Sequence, residues 1–119
     1  MRAEALTQKK TVVLDGGRIA LAVVTRRDRA ESDLKDADFE TAVDVVRALR
    51  GVRIAAILKE SEKEAGLYKA SLRATDADVA SVAALFGGGG HIRAAGCSLR
   101  AETPEKAVEM LLSAIRENT

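Results

Sequence analysis

Apolar and polar positions divide the chain into short alternating blocks. Thr11 to Leu14 and Arg18 to Thr25 are apolar runs separated by Asp15-Gly16-Gly17. An Asp-Gly pair between two such runs predicts a β-hairpin, because glycine accepts the positive φ of a tight turn. The second run contains IALAVVT, apolar on both faces, which predicts a strand covered on both sides. Phe39, Ala42, Val43, Val46 and Leu49 recur at helical spacing, with Gly51 placed to end the helix. Arg53 to Lys59 (RIAAILK) predicts another buried strand, and Ser61 to Gly66 a charged turn. Leu67 to Arg73 then alternates: Tyr68, Ala70 and Leu72 fall on one face, while Lys69, Ser71 and Arg73 fall on a wet one.

The second half reads as helix, strand, helix. Thr75 is the expected cap of a helix with Asp78 completing a loose capping box, and Val79, Val82, Ala83 and Phe86 form its buried stripe. Gly96 to Ala101 predicts a short strand. Thr103-Pro104-Glu105 is a helix start: a cap, a proline at the first position, and an acid near the positive end of the dipole. Val108, Leu111, Leu112 and Ile115 make the apolar face that follows. Between the first two sheet segments, Arg26 to Asp38 is polar and is expected to be a surface loop. Its acids (Asp28, Glu31, Asp33, Asp36, Asp38) are interspersed with Arg26, Arg27, Arg29 and Lys35, so a solvated loop explains them better than a metal site. Residues 1–10 are expected to be a weak helix, a poorly ordered leader or the remnant of an interdomain linker. The expected fold is α/β, a single domain with one mixed sheet of about five strands and helices packed against it.

Composition narrows the function. A chain of 119 residues suits one domain. A net charge of +1 gives no basic stripe for gripping a long duplex, though a few local cations could hold a short anion. Phe39, Tyr68 and Phe86 are the whole aromatic set, too few for a platform that stacks successive bases. Cys97 is the single cysteine, so no internal disulfide forms; it is expected to be a small buried residue at a strand start. No apolar run follows a basic start and none approaches about 20 residues, so the expectation is a cytoplasmic chain with no membrane segment.

The candidate chemistry lies in FGGGGHIRAAG, Phe86 to Gly96. A flexible linker would mix glycine with serine and other polar residues, whereas this run is pure and leads back into the same sheet. Successive bare N–H groups can form a nest for an anion. The run is not a Walker A loop, because no Gly-Lys-Ser/Thr ending follows and a helical stripe precedes it. His91 elsewhere would read as an ordinary structural histidine. Beside four glycines, its imidazole can donate to a phosphate oxygen or exchange a proton. Arg93 offers a guanidinium fork to the same group.

These residues resemble the GGGH signature of the DHHA1 domain, the C-terminal domain of DHH-type phosphoesterases. The likeness is greatest to the nanoRNase and pAp-phosphatase group, which includes exopolyphosphatase-related and RecJ-like proteins. LKE at Leu58 to Glu60, KASLRA at Lys69 to Ala74 and DVASVAALFGGGGH at Asp78 to His91 extend it over about residues 11–117. In such enzymes an N-terminal DHH domain holds two metal ions, usually manganese, and the DHHA1 domain closes over the cleft and holds the substrate. The resemblance therefore implies Gly87, Gly88, Gly89, Gly90 and His91 as the binding loop, with Arg93 beside it and Ser71 and Arg73 on the SLR strand. The implied ligand is a short oligonucleotide or pAp, and the implied partner a DHH catalytic domain in cis or in trans. No DHH motif is present in this sequence, and one histidine does not make a two-metal site. The chain is therefore expected to bind without hydrolysing, with no catalytic residue, metal ligand or cofactor of its own. Two other readings remain: a nucleic-acid-binding module like those ending alanyl-tRNA synthetases, and a regulatory domain for a small nucleotide.

Overall fold

The computed structural model describes residues 3–32 and 35–119. Six strands form one mixed sheet in the order β1-β2-β3-β4-β6-β5. They are β1 (Thr11–Leu14), β2 (Ile19–Val24), β3 (Ile54–Glu60), β4 (Leu67–Ala74), β5 (Gly89–His91) and β6 (Ala94–Arg100). β2 and β3 are parallel, and the other neighbours are antiparallel. The helices are α1 (Ala3–Lys10), α2 (Arg26–Ser32), α3 (Asp36–Arg47), α4 (Val79–Ala84) and α5 (Pro104–Asn118). This is the α/β mixed-sheet domain that the pattern predicts, with one more strand than expected. The additional strand is β5, cut from the glycine run itself.

The sheet has two differently covered faces. Over β2 and β3, Leu6 of α1 and Phe39, Ala42, Val43 and Val46 of α3 pack on Ala20, Ala22, Val24, Ala55 and Ile57. The opposite face carries the larger core. There Tyr68, Ala70, Leu72, Cys97 and Leu99 meet Val79 and Val82 of α4 and Leu111 and Ile115 of α5. Strands buried on both faces need apolar residues at consecutive positions, which is why IALAVV and IAAILK show no alternation. Cys97 is buried, in the middle of β6 rather than at its start.

Several local expectations change. Arg26 to Asp38 is not a loop: it holds α2 and the first turn of α3. Thr25 and Asp28 cap α2 reciprocally, the Asp28 amide donating to Thr25 Oγ1 (3.1 Å) and the Thr25 amide to Asp28 Oδ2 (2.9 Å). Arg29 is buried, its guanidinium carbon 5.9 Å from the Phe39 ring centroid and its Nη1 donating to the Glu60 carbonyl at 3.2 Å. Asp28 pairs with Lys10 at 3.1 Å, and Asp33 lies outside the described residues. Leu49 is exposed because α3 ends at Arg47, ahead of Gly51 with its φ of +86°. Asp78, not Thr75, caps α4 by accepting from the Ser81 amide; Thr75 instead donates to the Val52 carbonyl. Thr103 caps α5 by accepting from the Lys106 amide, with Pro104 in the first turn.

Candidate functional site

The glycine run is a helix end followed by an edge strand. The Gly88 amide donates to the Ala83 carbonyl (2.9 Å) and the Gly87 amide to the Ala84 carbonyl (3.1 Å). This pair of bonds, with Gly87 at a φ of +78°, is a Schellman stop for α4. Two amides that a phosphate nest would need are thereby occupied by helix carbonyls. The next residues enter β5, where Gly89, Gly90 and His91 lie opposite Gly96, Ala95 and Ala94 of β6. The approach is possible only because both strands are nearly bare. A Cβ on Gly88 would sit 2.7 Å from the Cys97 Cβ, and one on Gly90 would sit 2.7 Å from the Ala94 carbonyl oxygen. Gly89 has open space above it.

Register then decides which side chains share a surface. Ser71 of β4 lies opposite Gly96 of β6, which lies opposite Gly89 of β5. Arg73 lies opposite Ala94, which lies opposite His91, and Lys69 lies opposite Ser98. Residues directly opposite in an antiparallel pair, and residues two apart on a strand, point to the same face. Lys69, Ser71, Arg73, Ser98, Gly96, Gly89 and His91 therefore share the face on which α3 packs over β3. That helix does not extend over β6 and β5, where Gly89, His91, Gly96 and Ser98 are exposed. The result is a floor of small residues with cations at both ends. A depression of about 450 Å³ in it is lined by Lys59, Lys69, Ser71, Gly87, Gly88 and Ser98, among others.

The expected site residues are brought together unevenly. Ser71, Gly89 and His91 face the floor. Arg73 reaches its edge: its Cα stands two strand spacings from that of His91, about 10 Å, and its side chain leans on α3. Arg73 Nε donates to Asp44 Oδ1 (3.1 Å) and Nη1 to the Leu72 carbonyl (3.0 Å). The face is less wet than alternation implies, since Ser71 is buried and α3 partly covers Arg73. Arg93 does not join them. It occupies the β5–β6 turn, and its Nη1 donates to the Ala77 carbonyl at 2.7 Å, fastening the turn to the approach to α4. The Ile92 and Arg93 carbonyls accept from the Val79 and Ala74 amides in the same place.

Three floor residues are not singled out by sequence reasoning. Lys59 and Ser98 are placed by strand register, and Lys69 is visible only as one member of the alternating face. Among the described residues no three His, Cys, Asp or Glu side chains converge to hold a metal ion. A separate cavity of about 180 Å³ at the other end of β2 and β3 is lined by Asp15, Arg18, Arg53 and Arg116, among others. There Asp15 takes a bidentate bond from Arg116, at 2.9 and 2.6 Å.

Comparison with known proteins gives a consistent picture. A family model described as the DHHA1 domain matches residues 16–117, most of the chain. The fold is similar to that of an exopolyphosphatase-related protein from Bacteroides fragilis, with a TM-score of 0.84 and 24% identity over 97% of this chain and 33% of that one. It is also similar to a pGpG-specific phosphodiesterase from Vibrio cholerae, with a TM-score of 0.68 and 14% identity over 98% of this chain and 38% of that one. The chain thus spans a third or slightly more of the length of these two proteins.

Proposed function

The chain belongs to the DHHA1 domain family, and from that premise we propose that it is the substrate-holding accessory domain of a DHH-type phosphoesterase. The observation that carries this reading is the open floor on β4, β6 and β5, with Ser71, Gly96 and Gly89 in one row and Arg73, Ala94 and His91 in the next. Bare backbone lets a ligand lie against the sheet, and the flanking cations suit phosphate. Hydrogen bonds to a charged group contribute about 1.5–3 kcal/mol each. Two or three of them, from Ser71, Arg73 and His91, hold the phosphate or nucleotide end of a short oligonucleotide or of pAp. The glycine run acts here by its absence of side chains, not as an amide nest.

Hydrolysis in this reading belongs to a DHH domain, in cis or in trans, where manganese would supply the Lewis-acid chemistry. This chain's residues orient the substrate toward that centre, in the cytoplasm. A titration of the chain with pAp, a dinucleotide, a cyclic dinucleotide, polyphosphate and tRNA tests the reading. Saturable binding of pAp or the dinucleotide, lost in His91→Ala, is expected, with no turnover by the chain in manganese. Tighter, strongly salt-dependent binding of tRNA would overturn it in favour of a general nucleic-acid module. So would metal-dependent hydrolysis by the chain itself.

A further inference from the structure

Phe39, Tyr68 and Phe86 are the only phenyl rings in the chain, and the fold treats them differently. Phe39 is 0% exposed and Tyr68 1%, so a ligand reaches neither. Phe86 is half-buried. It packs against the core that α4 and α5 cover, and it also lines the depression of about 450 Å³ in the floor. Register explains how it comes there. β5 begins at Gly89, opposite Gly96, so Ser98, two residues further along β6, has no strand beyond it. The end of α4 closes that corner instead, with Phe86, Gly87 and Gly88 lining the depression beside Ser98. A Cβ on Gly87 would meet nothing within 4 Å, so the space next to the ring is open. The other side chains of the lining are those of lysine, serine, alanine and cysteine, and Phe86 alone among them presents a flat apolar face. Covering the core at this point requires an apolar group but not a flat one.

We infer that Phe86 is a specificity-determining residue of the floor, a platform on which one base of the ligand stacks. This rests on the phosphate-holding role proposed above and narrows it. The site takes phosphates that carry a base and discriminates against inorganic polyphosphate and bare sugar phosphates. The row of Ser71, Gly96 and Gly89 and the row of Lys69 and Ser98 are two residues apart along β4 and β6, about 7 Å. A phosphate over the first row leaves the base of the same nucleotide beside the second, at the corner that Phe86 occupies. Stacking on an aromatic face tolerates any base, because every base has a π-face, and a phenyl ring carries no polar atom that reads base edges. One ring holds one base, so the grip falls on a single nucleotide of a longer strand.

The test is titration of the chain with adenosine 3′,5′-bisphosphate and with the same bisphosphate on an abasic tetrahydrofuran sugar, for the wild type, Phe86→Leu and Phe86→Tyr. Leucine keeps an apolar side chain on the core, and a thermal melt verifies that each variant is folded. The wild type is expected to bind the adenosine ligand about tenfold more tightly than the abasic one. Phe86→Leu should remove that difference by weakening the adenosine ligand alone, and Phe86→Tyr should keep it. A merely structural role would weaken both ligands together. Equal losses in Phe86→Leu, an unchanged adenosine affinity in that variant, or equal wild-type affinities for the two ligands therefore overturn the stacking role and leave the phosphate floor standing. Failure of the wild type to bind either ligand overturns the two together.

Discussion

A methyl group on Gly88 would overlap the carbonyl oxygen of Gly96 and lie 2.7 Å from the Cβ of Cys97, so the end of α4 rests directly on the backbone of β6. Gly88→Ala must push these strands apart. Overpacking of this kind costs about 1–3 kcal/mol, and a denaturant titration should show it. Gly89→Ala has open space and should leave the midpoint unchanged. Its methyl group falls on the floor beside the row of Ser71 and Gly96, so it should weaken nucleotide binding while Gly88→Ala acts first on stability.

Arg73 and Asp44 supply a second prediction. Arg73→Ala removes a charged donor at the edge of the floor and should weaken phosphate-ligand binding by about 1.5–3 kcal/mol, roughly ten- to a hundredfold. Asp44→Asn should change stability by less than about 1 kcal/mol, because Asp44 is half exposed, yet it should lower ligand affinity by loosening Arg73. Arg73→Lys should not restore affinity, since an ammonium lacks the fork that spans Asp44 and the floor. Calorimetry on the three variants checks this.

Asp15 governs part of the acid response. The Arg116 side chain, bonded to both of its carboxylate oxygens, holds Asp15 below its ordinary pKa of 3.8. A carboxyl depressed on folding stabilises the protein above its unfolded pKa, and the contribution is lost as pH falls through the folded one. Asp15→Asn is a clean probe, because the φ of +52° at this position is one asparagine adopts readily. Wild type should exceed the variant in stability at pH 6, and the gap should close as pH falls through and below the ordinary carboxyl value of 3.8. Asp28 and Asp78 are also depressed, so the difference between the two proteins is the informative quantity.

Cys97 should be inert in the folded protein. Burial on the face of β6 that α4 covers pushes its thiol pKa up, which disfavours the reactive thiolate. Reaction with a disulfide reagent is expected to be slow in buffer and complete in denaturant, and its native rate should rise in Gly88→Ala, which disturbs the packing over Cβ.

Elements built on a strong period were legible in the chain. The unbroken apolar runs at Ile19 and Ile54 announce doubly covered strands, and Thr103-Pro104 announces α5. α2 was hidden because it has no apolar stripe, although Thr25 and Asp28 stand at the spacing of a capping pair. β5 was hidden for a different reason. Gly89, Gly90 and His91 have no intrinsic preference for a strand, and they form one because Ala94, Ala95 and Gly96 let them close on β6. At the site, alternation puts Ser71 and Arg73 on one face, and the family resemblance joins His91 to them. The bond from Arg73 to Asp44, 29 residues away, the cross-strand meeting of Lys59 with Lys69, and the turning of Arg93 toward Ala77 depend on tertiary placement, which no local pattern encodes.

The stop at Gly87 and the pairing of β5 have a thermodynamic consequence. Four consecutive glycines in a free loop would each lose about 1–2 kcal/mol of backbone entropy when a ligand immobilised them. Here Gly87 and Gly88 are bonded to α4 and Gly89 and Gly90 to the sheet register before any ligand arrives. That entropy is lost once, during folding, and does not recur with each binding event. The most permissive residues in the chain are thus already ordered by the fold, and in the proposed role they meet a ligand as a finished template.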